Sequence, residues 1–452
     1  MPAPLHIPTI DARTGNLVEV IKNLRKRIHP QGGVVSEAGK RKTIEVFGEP
    51  LTATQVVGRI CSEVKSRGLS AVLDYSKKLD KADLTADSLR IPLEQMKSAH
   101  EKVDPDFLKA VRRIRGNIQS FQATILHHET RHYPSAGVEL RQSYTPLNRI
   151  ACCIPGGAAA YPSTLLMTVV PAQVAGVKEI VILAPPTSYG AKNANILALC
   201  HELGITELYQ IGGAQAVAAV AYGVEGIKKV DKIVGPGNQF VALAKRHVFG
   251  EVDIDSIAGP SEIVVIADET SRPDFAAADM LAQAEHAPGS SLLVTWSPTV
   301  AEKVVVELAR QIETLSRADL TRNSIEDYSA IILVKDESQA IEVTNSIAPE
   351  HLHVATSDSK KLLPQLTTAG AIFVGPYSPV ALGDYFAGPS HVLPTGATAH
   401  WASGLSANSF LRSFSVIHYS EAALLSAAED IATIASLEGL TAHRESIQIR
   451  GR

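Results

Sequence analysis

From Arg149 onward the chain repeats one pattern: a short apolar run, a glycine-bearing turn, then a helical stretch rich in small residues. Arg149-Ile-Ala-Cys-Cys-Ile154 leads into Pro155-Gly-Gly157, Leu208-Tyr-Gln-Ile211 into Gly212-Gly213, and Asp231-Lys-Ile-Val234 into Gly235-Pro-Gly-Asn238. Glu179-Ile-Val-Ile-Leu183 adds a further run between the first two. A strand that is apolar throughout must be covered on both faces, which parallel βαβ units achieve and a half-solvated antiparallel sheet does not. A second series follows Ile257-Ala-Gly-Pro-Ser261, with runs at Glu262–Ile266, Ser291–Thr295, Ala330–Val334, His353–Ala355 and Ala371–Val374. The pattern predicts an α/β protein with two Rossmann-like domains, each an incomplete doubly wound sheet.

A chain of 452 residues exceeds what one hydrophobic core normally supports, so several units are expected. Residues 1–145 read as a mainly helical region packing on the α/β domains, with amphipathic stretches from Val56 to Leu79 and from Pro105 to Gln122. Polar β-like stretches stand near Thr130–Tyr133 and Val138–Gln142. Residues 146–257 form the first Rossmann-like domain and 258–395 the second. Residues 396–452 read as a separate C-terminal helical segment, set off by Gly388-Pro-Ser-His-Val-Leu-Pro-Thr-Gly396.

Hydrophobic residues make up 45% and charged residues 20%, with a net charge of -4, which fits an ordinary globular protein and argues against nucleic-acid binding as the main task. The basic runs Lys22–Arg27 and Lys40–Lys42 read as solvated surface. No secretory leader or membrane span is legible, so a membrane partner is not expected. The four cysteines, Cys61, Cys152, Cys153 and Cys200, show neither zinc-ligand spacing nor a disulfide framework, which points to a reducing, cytoplasmic home.

The glycine turns expose backbone N–H groups at helix starts, a ready anion site, although each alone is also ordinary backbone geometry. The full dinucleotide fingerprint is absent, since Phe240 stands where its third glycine belongs. Gln215 and Asn238 are placed to reach ribose or phosphate oxygens. In Met-Leu-Ala-Gln-Ala-Glu-His-Ala-Pro, Gln283 and His286 lie one helical turn apart and leave the same face, as two neutral metal ligands would. A mixed N/O set needs further donors, and Asp384 with either His418 or His443 supplies the right types for zinc or manganese. Glu350-His351 sets a carboxylate beside an imidazole, the parts that move protons near neutral pH. Cys152 and Cys153 read either as buried structural thiols or as covalent nucleophiles for aldehyde oxidation.

In this order the motifs resemble the histidinol dehydrogenase family. They are Ile154-Pro-Gly-Gly, Gly212-Gly-Ala-Gln-Ala, Gly235-Pro-Gly-Asn, Ala258-Gly-Pro-Ser-Glu, Ala282-Gln-Ala-Glu-His, Pro349-Glu-His-Leu-His, Gly383-Asp-Tyr and His391-Val-Leu-Pro-Thr. The likeness covers the chain from about Thr145 onward and extends more faintly through the N-terminal helices. It implies a zinc-containing, NAD-dependent enzyme that takes L-histidinol through L-histidinal to L-histidine, the last steps of histidine biosynthesis. Gln283, His286, Asp384 and His443 would hold zinc. Ser261, His351 and Glu438, together with the zinc ligands, would hold substrate, with His391 close by. Gln215 and Asn238 would contact NAD. Glu350 and His351 would be catalytic: His351 the base in both oxidations, Glu350 the group that activates water between them. The C-terminal segment would cross to a partner, giving a homodimer with shared active sites.

One departure stands out. Many relatives carry Tyr just before the Ile/Val-Pro-Gly-Gly loop as an NAD contact, and here that position is Cys153. It leaves open a paralogue acting on another small amino or sulfonated alcohol, against which the retained Glu438 and His443 speak. A metal- and nucleotide-binding regulator without turnover would have little use for Glu350-His351.

Overall fold

Two parallel sheets realise the repeating pattern, in a computed structural model that describes residues 5–14, 17–28, 37–157, 159–257 and 259–452. Ala258 of the Ala258–Glu262 motif, and the side chains of Lys26, Arg27, Lys40 and Lys42 in the basic runs, lie outside the described residues.

The first sheet has five strands in the spatial order Glu207–Tyr209, Glu179–Leu183, Arg149–Cys153, Lys232–Val234, Asp253–Ile254, all pairs parallel. The Arg149 strand is the centre from which the chain winds first one way and then the other. Its switch point with the Lys232 strand is where open α/β sheets place ligands. Gly235 is confined there: with φ of 100°, an added Cβ would lie 2.4 Å from the Cys153 carbonyl oxygen, so only glycine lets the two loops touch.

The second sheet has six strands in the order Thr9–Asp11, Ala330–Leu333, Gly289–Thr295, Ser261–Ala267, His351–Val354, Ala371–Val374, again all parallel. Its switch point falls between the Ser261 and His351 strands. The mixed α/β class and the doubly wound arrangement therefore stand as expected. Two helical layers cover each sheet, and the central strands are buried on both faces, as Val264 and Val265 at 0% exposure show.

Three local features differ from the sequence expectation. The helical stretch from Val56 to Leu79 is two helices, Ala53–Arg67 and Leu69–Asp80, because Gly68 takes φ of 60° between them. The N-terminal region contributes Thr9–Asp11 as an edge strand of the second sheet. The C-terminal segment is not purely helical: Leu411–Tyr419 pairs antiparallel with Val138–Pro146, which pairs with Thr130–His132, in a separate three-stranded sheet. Phe414 and Val416 sit one per pleat repeat there, an alternation too short and too interrupted by polar residues to be read as a strand. Beyond it, the helices Glu421–Leu437 and Thr441–Gln448 pack chiefly against each other.

Candidate active site

The second sheet gathers its functional groups at an unusual edge. Ser261, Gly289, His351 and Ala371 are each the first residue of a strand; Ser261 pairs with Gly289 and His351 with Ala371, while His351 stands opposite Ile263, two residues into the Ser261 strand. The site therefore stands where strands enter the sheet, not where they leave it. Gly289 allows this closeness, since a Cβ on it would lie 2.1 Å from the carbonyl oxygen of Gln283. Gln283 occupies the last turn of the helix Pro273–Ala284, and His286 follows in a tightened turn, its N–H donating to Gln283 O at 3.3 Å.

Gln283 is only 1% exposed, yet neither its Oε1 nor its Nε2 has a hydrogen-bond partner. A buried carboxamide left this way is costly, and such groups ordinarily have a ligand or water to satisfy them. His286 projects into a cavity of ≈ 480 Å³. Enclosure by protein lowers its pKa, outweighing the Asp384 carboxylate, so the imidazole is neutral with a lone pair to give. Asp384, on the short helix Val380–Tyr385, faces the same ground. Burial tends to raise its carboxyl, but His351, then His391 and His286, hold it below its ordinary value as an anion. A neutral carboxamide, a neutral imidazole and a carboxylate form a donor set that fits zinc. Among the described residues, no group of three or more His, Cys, Asp or Glu comes together as a metal cluster, so one chain supplies at most this partial set.

Glu350 and His351 are buried at 5% and 3% exposure. His351 Nδ1 lies 3.7 Å from Glu350 Oε2, and its Nε2 lies 3.7 Å from Asp384 Oδ1. Burial alone would depress the His351 pKa, but Glu350, Asp384 and Glu262 overcome it and raise it to about 9. Burial raises the Glu350 carboxyl, opposed first by His351 and then by the Ser261 side chain. His391 is enclosed beside Asp384, and burial takes its pKa down to about 4. It shares a second cavity of ≈ 530 Å³ with His351 and Asp384. Ser261, Gln283, His286, Glu350, His351, Asp384 and His391 thus form one neighbourhood.

Other expected residues lie elsewhere. Glu438 and His443 are exposed on the C-terminal helices, which make no substantial packing on the elements carrying the site. His418 faces a groove with Tyr133 and Glu139 on the three-stranded sheet. On the first sheet the three glycine turns cluster at the strands' C-terminal ends, Gly156 and Gly212 both abutting Pro185. Gln215 is 1% exposed and its Nε2 donates to Asp80 at 2.9 Å, so its amide faces the core. Asn238 caps the helix Gln239–Val248, its Oδ1 accepting from Phe240 and Val241 N–H, which leaves its amide nitrogen to face outward. Cys153 is 6% exposed and burial pushes its thiol up to about 12; Cys152 is raised further still. Neither supplies a thiolate near neutral pH, so both are structural.

The first domain meets the second at the ≈ 480 Å³ cavity, where Ala160, Tyr161 and Ser163 after the glycine loop face His286, Glu285 and Arg317. Sequence reasoning did not single out several contributors. His353 pairs its Nδ1 with Asp279 Oδ2 at 2.6 Å and bonds Gly375 O through Nε2 at 2.9 Å, tying the strand of His351 to the helix of Gln283. Its place two residues after His351, on the same strand face, was the available signal. Buried Lys245 pairs with Asp255 and donates to Gly235 O at 3.0 Å, bracing the Gly235-Pro-Gly237 turn. A fully buried lysine has no sequence signature.

A family model described as histidinol dehydrogenase matches residues 49–451. Histidinol dehydrogenase of Rhodopirellula baltica is 54% identical over 447 residues, 98% of this chain and 97% of that protein. The enzyme of Geobacillus kaustophilus is 48% identical over 411 residues, 91% of this chain and 96% of that protein. The crystal structure of histidinol dehydrogenase from Elizabethkingia anophelis superimposes with a TM-score of 0.89 at 31% identity, covering 99% of this chain and 98% of that one.

Proposed function

The chain belongs to the histidinol dehydrogenase family, NAD-dependent oxidoreductases of histidine biosynthesis, and from that membership we propose how its own residues oxidise histidinol. Gln283, His286 and Asp384 hold a zinc ion, with His443 of the partner subunit as the fourth protein ligand. The observation that carries this is the Gln283 carboxamide, 1% exposed with both polar atoms unpaired, three residues before His286, whose imidazole feels the Asp384 carboxylate. When bound, the metal fixes the substrate's position, an orientation effect that needs no activation of the hydroxyl oxygen.

Ser261 and the partner's Glu438 complete the hold on the substrate, the latter as counter-charge for its ammonium group. NAD would supply the hydride acceptor for each of the two oxidations, and the glycine turns, with Asn238 and Gln215 as side-chain contacts, would hold it. Asn238 has a free amide nitrogen for this. Gln215 must give up its bond to Asp80, and Cys153 contributes at most backbone shape.

His351 takes the hydroxyl proton from the alcohol at an imidazole nitrogen. Glu350 beside Nδ1 and Asp384 beside Nε2, each at 3.7 Å, favour the imidazolium that results. Glu350 then takes a proton from water as that water adds to the aldehyde carbon. His351 removes a proton from the resulting hydrate in the second oxidation, which leaves the carboxylate. The buried setting of Glu350 and His351 keeps bulk water from the aldehyde.

The test couples chemistry to metal content. Zinc-loaded protein is expected to yield about two NADH per histidinol consumed and to hold about one zinc per subunit. Chelation should remove both, zinc should restore both, and Gln283→Ala should lower zinc content at matched free metal. Full turnover by protein shown to be metal-free, or undiminished zinc retention by Gln283→Ala, would sink the assignment.

A further inference from the structure

Behind Glu350 lies a second buried acid that this mechanism does not use. Glu262 is the second residue of the Ser261–Ala267 strand, neighbour to the strand of His351, and is 1% exposed. One of its oxygens, Oε1, accepts from the backbone N–H of Glu350 at 3.3 Å and from that of Gly396 at 2.9 Å. The bond is returned, for Glu350 Oε2 accepts from the backbone N–H of Glu262 at 3.3 Å. We propose that Glu262 is a positioning residue for the aldehyde step, fixing the Glu350 carboxylate through this reciprocal clasp. The inference rests on reading Glu350 as the group that activates water.

A glutamate side chain has three free torsions, and a base that must meet one water needs them confined. The clasp confines Glu350 at both ends: its backbone through Glu262 Oε1, its carboxylate through Glu262 N–H. Gly396 ties in the segment that follows His391, so the same acid also sets the loop beside the site. Two carboxyl groups this close in buried ground do not both ionise, and one keeps its proton. The groups facing the pair are His351 beside Glu350 and Asp384 beyond it. His351 and the Ser261 hydroxyl favour charge on Glu350. Burial first, and then the Glu350 charge, push Glu262 well above the usual carboxylate range. Glu262 is thus the neutral acid of the pair, and a neutral acid still accepts through its carbonyl oxygen.

Rates of histidinol oxidation and of histidinal oxidation, measured separately on zinc-loaded protein, test the role. Glu262→Ala is expected to lose at least about tenfold more in kcat for histidinal than for histidinol, with KM little changed. Glu262→Gln, an uncharged acceptor of the same shape, should recover most of that loss and leave the acid limb of the histidinal pH profile in place. Equal losses in both steps for Glu262→Ala, or no recovery in Glu262→Gln, would overturn the inference. If the alanine variant does not fold, the glutamine variant decides: an acid limb displaced downward by about one unit or more means Glu262 carried a charge, and the inference fails. Glu350→Gln separates this from the reading beneath it. Equal loss of both steps there removes the water-activating role itself, whereas a step-selective loss there with uniform loss in Glu262→Ala removes only the role of Glu262.

Discussion

His351 is held between two acids at 3.7 Å, Glu350 on Nδ1 and Asp384 on Nε2, and no other imidazole at the site has that double attachment. His286 and His391 are both depressed by enclosure, which suits a ligand and a neutral donor but not a base that must carry a proton away. His351→Asn keeps a polar side chain of similar reach and removes the proton acceptor. Both oxidation steps should slow by about 10²- to 10⁴-fold while zinc content stays as in the parent protein. Loss of only one step would mean a different base serves the other. The paired spacings of Gln283 with His286 and of Glu350 with His351 were legible because local geometry alone brings those side chains together. Glu262 was visible only as the last letter of a motif and the first of an apolar run. Its burial against Glu350 depends on two strands whose first residues are 90 positions apart, Ser261 and His351, and no local rule reports such a meeting.

At the scale of elements, the first sheet is stitched at the edge opposite its glycine turns. Arg149, Glu179 and Glu207 are the first residues of three adjacent strands, and the Arg149 guanidinium, 7% exposed, reaches Glu179 at 2.7 Å and Glu207 at 2.8 Å. The Arg149 hydrogen bond carries the Glu207 carboxyl down to about 2 against the opposing effect of burial. A carboxyl lower in the folded than in the unfolded state stabilises fully above the unfolded value, near 4.5, and loses that contribution as pH falls from there toward 2. Arg149→Met should therefore cost about 2–4 kcal/mol at neutral pH, since it leaves two acids without their cation. Its stability should then fall less steeply than the parent's between pH 4.5 and 2. Urea unfolding across that range checks both, and parallel acid curves would show that the network carries no pH-dependent stability. The apolar runs themselves were readable because parallel strands are uniform along their length. The Leu411–Tyr419 strand was not, because it is half solvated and its partner, Val138–Pro146, lies far away in sequence.

At the scale of the whole molecule, the C-terminal segment leaves a face that one chain does not cover. Ile434 at 57%, Leu437 at 80% and Leu440 at 42% exposure lie within a few residues of Glu438, and Ile417 at 71% is exposed on the strand before them. Exposed apolar side chains on an arm that packs mainly on itself are what the proposed exchange of arms between subunits would cover. The same arm carries Glu438 and His443, the two residues proposed for the site that the chain's own fold leaves outside it. A twofold dimer that exchanges the arms answers both facts at once, because a symmetric interface completes two sites by one contact. Subunit mixing distinguishes exchange from an arm that folds back. His351→Asn and His443→Ala are each expected to be nearly inactive alone, the first for want of the proposed base and the second of a proposed ligand. In a mixed dimer with exchanged arms, one site receives both lesions and the other receives neither. Random reassortment of equal amounts makes about half the dimers mixed, so activity should return to about a quarter of the parent's. If each arm instead served its own subunit, every site would keep exactly one lesion however the chains were paired, and mixing would restore nothing.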